Sequence, residues 1–320
     1  MASVLLFLRV RTILFAMFSA TAPFPSADTA SSPQDAEQHW FHARLSRFNA
    51  NRLLPRLPPP DWRGELRSQQ PMLVEEAEFV YRERCLVSAR AAQAPTEPDA
   101  FLHWFRELSV SGPGQGDSFF SWLRSSANLA EMRWFLTQEA AGEAGFDDLV
   151  AMTQVRFPIR AKLEMARNYW DEMGRGHEGG MHGPMLGAVV TELDLEPAIE
   201  STVWESLALA NLMVALAANR QFAYHAVGAL GVIEMTAPGR VSQVSEGLKR
   251  LAASTKARLY FQLHAGLDVK HSEEWNREVI VPLVEADPEV ASAIAEGALM
   301  RLACGARCFR RYRAQFGFSC

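Results

Sequence analysis

At 320 residues, 48% of them hydrophobic and 22% charged, the chain has the composition of a globular protein with a sizeable core. A net charge of −5 and a pI near 5.9 leave no basic excess to neutralise phosphates, which argues against a dedicated nucleic-acid binder. The cysteines are too sparse for a disulfide framework, and Cys304-x-x-x-Cys308 without a second pair reads as a helical packing pair rather than a zinc site.

Met1 to Ala22 is apolar but interrupted by Arg9 and Arg11. Its longest clean run, Thr12 to Ala22, is shorter than the about 20 residues that a bilayer span needs. Residues 1–30 read either as a signal peptide, with Ala20-Thr21-Ala22 as the cleavage site, or as a disordered or mis-started extension. No later segment approaches transmembrane length. A cytoplasmic location is expected, with secretion left open by that first segment.

Residues 31–65, with Pro55, Pro58, Pro59 and Pro60 close together, read as a Pro-rich arm extended over the surface, with a short helix around Ala36 to Asn49. His39 is assigned to that surface arm. Residues 66–320 read as one domain. Apolar positions recur at helical spacing from Ser68 to Gln93, Pro98 to Val110, Phe119 to Ala141, Pro158 to Met173, Glu200 to Ala217 and Glu289 to Phe316. Alternation with period two is almost absent, so the expected fold class is all-α, a helical bundle with an extended N-terminal arm.

In Phe261 to His271, a rotation of ~100° per residue puts His264, Asp268 and His271 within about 60° of one another on one helix face. Two imidazoles and a carboxylate on one face make either a first-row metal ligand set or a polar surface. Other residues favour the metal. Glu234 is a carboxylate inside the apolar run Leu230 to Met235, where an unpaired charge would be costly. Glu172 ends an aromatic-flanked helix, and His182 follows ten residues later. Together these six side chains are a carboxylate-rich set of the kind that holds two irons or manganeses inside a helical bundle.

Tyr169-Trp170-Asp171-Glu172-Met173-Gly174-x-Gly176 followed by His182, then Gly228-Ala229-Leu230 leading to Glu234, then His264-x-x-x-Asp268-x-x-His271-x-x-x-Trp275, resembles the iron-containing redox enzymes of the heme-oxygenase-like diiron oxidase superfamily. The resemblance spans roughly Phe119 to Phe316. It implies a heme-oxygenase-like bundle of about seven core helices. It also implies a non-heme diiron site that activates dioxygen to oxidise a small organic substrate of amine, amino-acid or fatty-acid type. The implied metal ligands are Glu172, His182, Glu234, His264, Asp268 and His271. The implied cofactors are two Fe(II)/Fe(III) ions, with manganese as an alternative, and an external reductant. The partners are then the small-molecule substrate and dioxygen, and a homodimer is compatible.

Asp171 is the fallback for Glu172, and Glu139 is the further acid to watch as a ligand. Glu131 and Glu164 read as solvated or ion-paired. Asp171, Tyr224 and Tyr260 are candidate partners for the ligand histidines. Trp170, Phe222, Phe261 and Trp275 line either a substrate pocket or the core. Arg240, Lys249 and Arg250 meet either a substrate carboxylate or solvent. The competing readings are a heme-binding protein, a metal-free thiaminase-like hydrolase and a non-enzymatic interaction module. The hydrolase needs a cysteine nucleophile, for which Cys85 is the mid-helix candidate.

Overall fold

The computed structural model describes residues 32–142 and 145–318. The alternatives drawn for residues 1–30 lie outside the described residues. Among the described residues there is no strand, only an isolated bridge between Met173 and Met181, and the regular elements are helical. No described helix is long and apolar enough to cross a membrane.

Short polar residues set the helix starts. Ser32 accepts the Asp35 amide to open α1, Pro33–Leu53, and Pro33 stands at a position where its missing N–H costs nothing. Asp61 and Glu97 do the same for α2, Trp62–Ala91, and α3, Pro98–Ser111. The helix expected from Phe119 to Ala141 is two, α4 over Ser118–Ser125 and α5 over Leu129–Gly142. Asn128 and Glu131 accept each other's backbone amides, a reciprocal cap that starts a new helix at that point. Then come α6, Phe146–Thr153, α7, Ile159–Glu172, α8, His182–Glu192, α9, Trp204–Ala218, and α10, Ala223–Arg250. The chain ends with α11, Thr255–Trp275, a π turn over Asn276–Ile280, α12, Val281–Ala286, and α13, Val290–Gln315.

The extended arm needs correcting. Residues 33–53 form helix α1, and only residues 54–61, where the four prolines cluster, leave the helical conformation. His39 is not on the surface. It is 1% exposed, and its Nε2–H donates to the Thr202 carbonyl at 3.1 Å. The buried face of α1 is largely polar, with Asn49 donating to Asn211 and Asn211 donating to the His42 carbonyl. These hydrogen bonds hold it in place together with the packing of Leu45, Phe41 and Phe48 on the core.

α9 is apolar around most of its circumference and lies buried in the middle of the bundle. Glycines let α10 and α13 touch backbone to backbone. A Cβ on Gly228 would stand 1.9 Å from the Ile294 carbonyl oxygen, and one on Gly297 would stand 1.9 Å from that of His225. Trp275, fully buried, lies over Gly231 and donates Nε1–H to the Val227 carbonyl at 3.2 Å. These contacts tie the end of α11 to α10 one to two turns before Glu234. A second apolar cluster, rich in aromatic residues such as Phe119, Phe120, Phe135 and Phe309, packs α4, α5 and α13 together. Each such side chain contributes roughly 1.5–3 kcal/mol by leaving water.

Candidate metal centre

α7 ends at Glu172, and the chain must turn back to begin α8 at His182. Gly174, Arg175 and Gly176 take left-handed backbone angles, with φ of 60°, 53° and 85°. A Cβ on Gly174 would lie 2.4 Å from the Gly180 carbonyl carbon, so only glycine allows the loop to close on itself there. The Met173–Met181 bridge fastens its base. This loop sets His182 Nδ1 2.5 Å from Glu172 Oε2.

Glu234 reaches the same point from α10. Pro238 lies inside that helix and has no N–H to offer the Glu234 carbonyl four residues back, so the helix loses a bond at this turn. Asn168 of α7 donates to Glu234 Oε1 at 2.6 Å and fixes the carboxylate. α11 contributes the remaining three side chains. His264 donates Nδ1–H to the Tyr260 carbonyl at 2.8 Å, which leaves Nε2 with its lone pair. Its ring lies edge-on to that of His182, with centroids 4.4 Å apart. His271 donates Nε2–H to Asp171 Oδ2 at 3.1 Å, and its Nδ1 lies 3.6 Å from Glu234 Oε2.

The structure therefore brings the six residues together. Donor atoms of Glu172, His182 and His264 lie within 4.8 Å of one another, and so do those of Glu172, Glu234 and His271. Glu172 belongs to both groups. Asp268 belongs to neither, yet it is 3% exposed and its carboxylate interacts electrostatically with Glu234 and Glu172. His182 Nε2, His271 Nδ1 and Asp268 Oδ1 are buried without a hydrogen-bond partner among the described residues. Buried polar atoms are rarely left so. Imidazole and carboxylate donors in this state fit a first-row metal ion.

The protonation states follow from burial and neighbours. Burial pulls His182 and His264 down to about 4, so both are neutral near pH 7. Burial and then the charges of Glu234 and Glu172 push Asp268 up to about 10. Burial opposes protonation of His271, but the Glu234 and Asp171 carboxylates beside it outweigh that and raise the imidazole to about 9. Burial likewise opposes ionisation of Asp171, and hydrogen bonds from Arg175 and His271 still hold its carboxyl below the usual carboxylate range. Without a cation, the cluster keeps its charge down by retaining protons.

A cavity of about 180 Å³ opens beside these residues, with Glu172, Glu234, His264 and Asp268 in its wall. Phe120, Phe135, Phe146, Phe261 and Phe309 supply much of its apolar surface. Glu139, Arg240, Arg301 and Cys308 line it too.

The remaining candidates separate cleanly. Asp171 is a partner of His271 and Arg175, not a substitute for Glu172. Tyr260 orients His264 through its backbone carbonyl, whereas Tyr224 packs on Phe157. Glu139 accepts the Tyr312 hydroxyl at 2.7 Å and lies outside both donor groups. Of the four aromatics, Phe261 lines the cavity, Trp275 is core, and Trp170 is 52% exposed. Phe222 packs on His225. Arg250 holds the carbonyls at the end of α4, and Lys249 is exposed, whereas Arg240 enters the cavity. Glu131 caps α5, and Glu164 pairs with Arg167. Cys85 is exposed. Sequence reasoning missed Arg301 and Cys308. The first had a signal, a charge set in the apolar run of α13.

The sequence model of a family described as iron-containing redox enzyme matches residues 133–306. Solved structures that match include two crystal structures of a CADD-like protein of unknown function from Nostoc punctiforme. The 2.00 Å structure has 18% identity and a TM-score of 0.48, over 77% of this chain and 100% of that one. The 1.35 Å structure has 17% identity and a TM-score of 0.46, over 76% of this chain and 96% of that one. No curated protein matches the chain. The family match covers more than half the chain, including all six clustered side chains, and the chain belongs to the family of iron-containing redox enzymes.

Proposed function

We propose that the protein is a non-heme diiron oxidase or oxygenase that uses dioxygen to oxidise a small organic substrate held in the cavity. The observation that carries this reading is the sharing of Glu172 between two donor groups, Glu172–His182–His264 and Glu172–Glu234–His271. One ion would sit in each, with Glu172 between them, and Asp268 would add charge beside Glu234. Bound iron would supply the redox chemistry toward dioxygen, with electrons from an external reductant.

The chain's own residues do the rest. The Tyr260 carbonyl and the Asp171 carboxylate each engage one nitrogen of His264 and His271, which would leave the other nitrogen available to hold an ion. Asn168 holds Glu234 in place. Phenylalanine walls keep bulk water from the reacting centre.

Two competing readings fare worse. Cys308 lines the cavity, but burial, then Glu139 and Glu205, push its thiol up to about 12, which denies it the thiolate a nucleophile needs. The cavity wall carries Glu172, Glu234 and Asp268 beside His264, an acidic set that a heme held by one axial histidine does not need. The test is dioxygen consumption by protein loaded anaerobically with ferrous iron and supplied with a reductant. Uptake should depend on iron and vanish in Glu172→Ala. Uptake that is equal with and without iron would overturn the reading.

A further inference from the structure

Arg240 of α10 and Arg301 of α13 line the same cavity as the metal-binding residues. Arg240 donates to Thr236 Oγ1 at 3.1 Å, and its guanidinium lies 5.6 Å from the Phe309 ring centre. Arg301 Nε is buried without a hydrogen-bond partner. Among the described residues neither guanidinium makes an ion pair. The acid near them, Glu139, accepts the Tyr312 hydroxyl, and burial pushes its carboxyl up. Two guanidiniums thus line a largely apolar cavity, with Glu139 as the acid beside them. Burial, then the charge of Arg301, lowers Arg240 to about 10, as expected for cations held together out of water.

We propose that Arg240 and Arg301 form the anion-binding end of the cavity and that the substrate is a small monocarboxylic acid with an apolar body. Guanidinium pairs bind carboxylates through charge-assisted, often bidentate hydrogen bonds. Arg240 lies six residues beyond Glu234 on the same helix, a rise of ~9 Å. A carboxylate held there directs a body the size of one aromatic ring or a short alkyl chain toward Glu234 and His264. The cavity of about 180 Å³ sets that size. An amine without a carboxylate would add a cation to an already cationic end, so the assignment narrows the substrate class. The reaction it feeds rests on the diiron reading, but the binding does not.

The test is equilibrium binding to metal-free protein by calorimetry, with phenylacetate and hexanoate compared with phenylacetamide, hexanamide and hexylamine. The acids should bind at least tenfold more tightly than their amides, and hexylamine should bind weakest. Arg240→Gln and Arg301→Gln should each abolish the acid-over-amide preference, and Arg301→Lys should keep part of it. The preference is a ratio within one protein, so a general loss of stability in a variant cancels. Equal binding of acid and amide by the wild type, or a preference that survives both glutamine variants, overturns the proposal. So does competition by inorganic phosphate as strong as that by the acids, which would mark a general anion site. Iron stoichiometry measured on the same proteins separates the two readings: acid preference without iron uptake sinks only the diiron site, and iron uptake without acid preference sinks only this assignment.

Discussion

His271 donates its Nε2–H to Asp171 at 3.1 Å, and Asp171 is in turn gripped by Arg175 at 2.6 Å, so a helix residue outside the donor groups, itself held from the following loop, sets the orientation of an imidazole in the proposed metal site. Asp171→Asn should therefore weaken iron binding by roughly 10–100-fold while leaving the number of ions per chain unchanged. Titration with ferrous iron under anaerobic conditions measures both. Wild-type affinity in Asp171→Asn would show that the contact has no part in tuning the site.

Asp268 tests the electrostatics of the cluster. Its folded-state pKa, about 10, lies above its ordinary value of 3.8. Its stabilising contribution is therefore complete below about pH 3.8 and is lost progressively as pH rises from there to about 10. Asp268→Asn should match the metal-free wild type in thermal midpoint below about pH 4 and exceed it by a margin that grows from there up to about pH 10. The same variant should lose most iron affinity and dioxygen consumption while keeping its helicity by circular dichroism. Two bound irons with normal uptake in Asp268→Asn would remove this residue from the site.

Glu205 gives a pH signature remote from the donor groups. It is 6% exposed, its Oε2 has no hydrogen-bond partner, and burial raises it from 4.5 to about 7. A carboxyl raised on folding contributes its stability below about pH 4.5 and loses it as pH rises through 7. Glu205→Gln should therefore flatten the fall in stability between these limits, a difference of about 3 kcal/mol. Urea denaturation at several pH values checks it, and parallel curves for the two proteins would contradict it.

His39 separates fold from site. His39→Ala removes a buried hydrogen bond to Thr202 and should destabilise the protein by about 1–3 kcal/mol. Iron stoichiometry should not change. Denaturant unfolding and metal analysis of one preparation read out both, and a lost iron would place α1 nearer the chemistry than the structure does.

Much of this was legible in the residues, for physical reasons that differ from one to the next. The face formed by His264, Asp268 and His271 follows from helical geometry alone, and Glu234 betrays itself as an acid in an apolar run. His182 does not, because its approach to Glu172 depends on left-handed angles at Gly174, Arg175 and Gly176 that no periodicity encodes. The full length of α1 and the burial of His39 escaped because its buried face mixes His39, His42 and Asn49 with Ala43 and Leu45, which blurs the apolar period beyond Ala36 to Asn49. Arg301 was open to the same reasoning as Glu234, since it is a lone charge among Ala298, Leu299, Met300 and Leu302. The split between α4 and α5 was written in Asn128 and Glu131, three residues apart, and lay hidden inside a continuous apolar pattern.

The most direct test of the central claim is the number of ferrous ions bound per chain after anaerobic loading and removal of excess metal. Glu172 stands in both donor groups, so the account predicts two ions in the wild type and a loss of both in Glu172→Ala. His182→Ala should lose one, since it stands in a single group. One ion in the wild type, or zinc bound with no iron uptake, would contradict the dinuclear site.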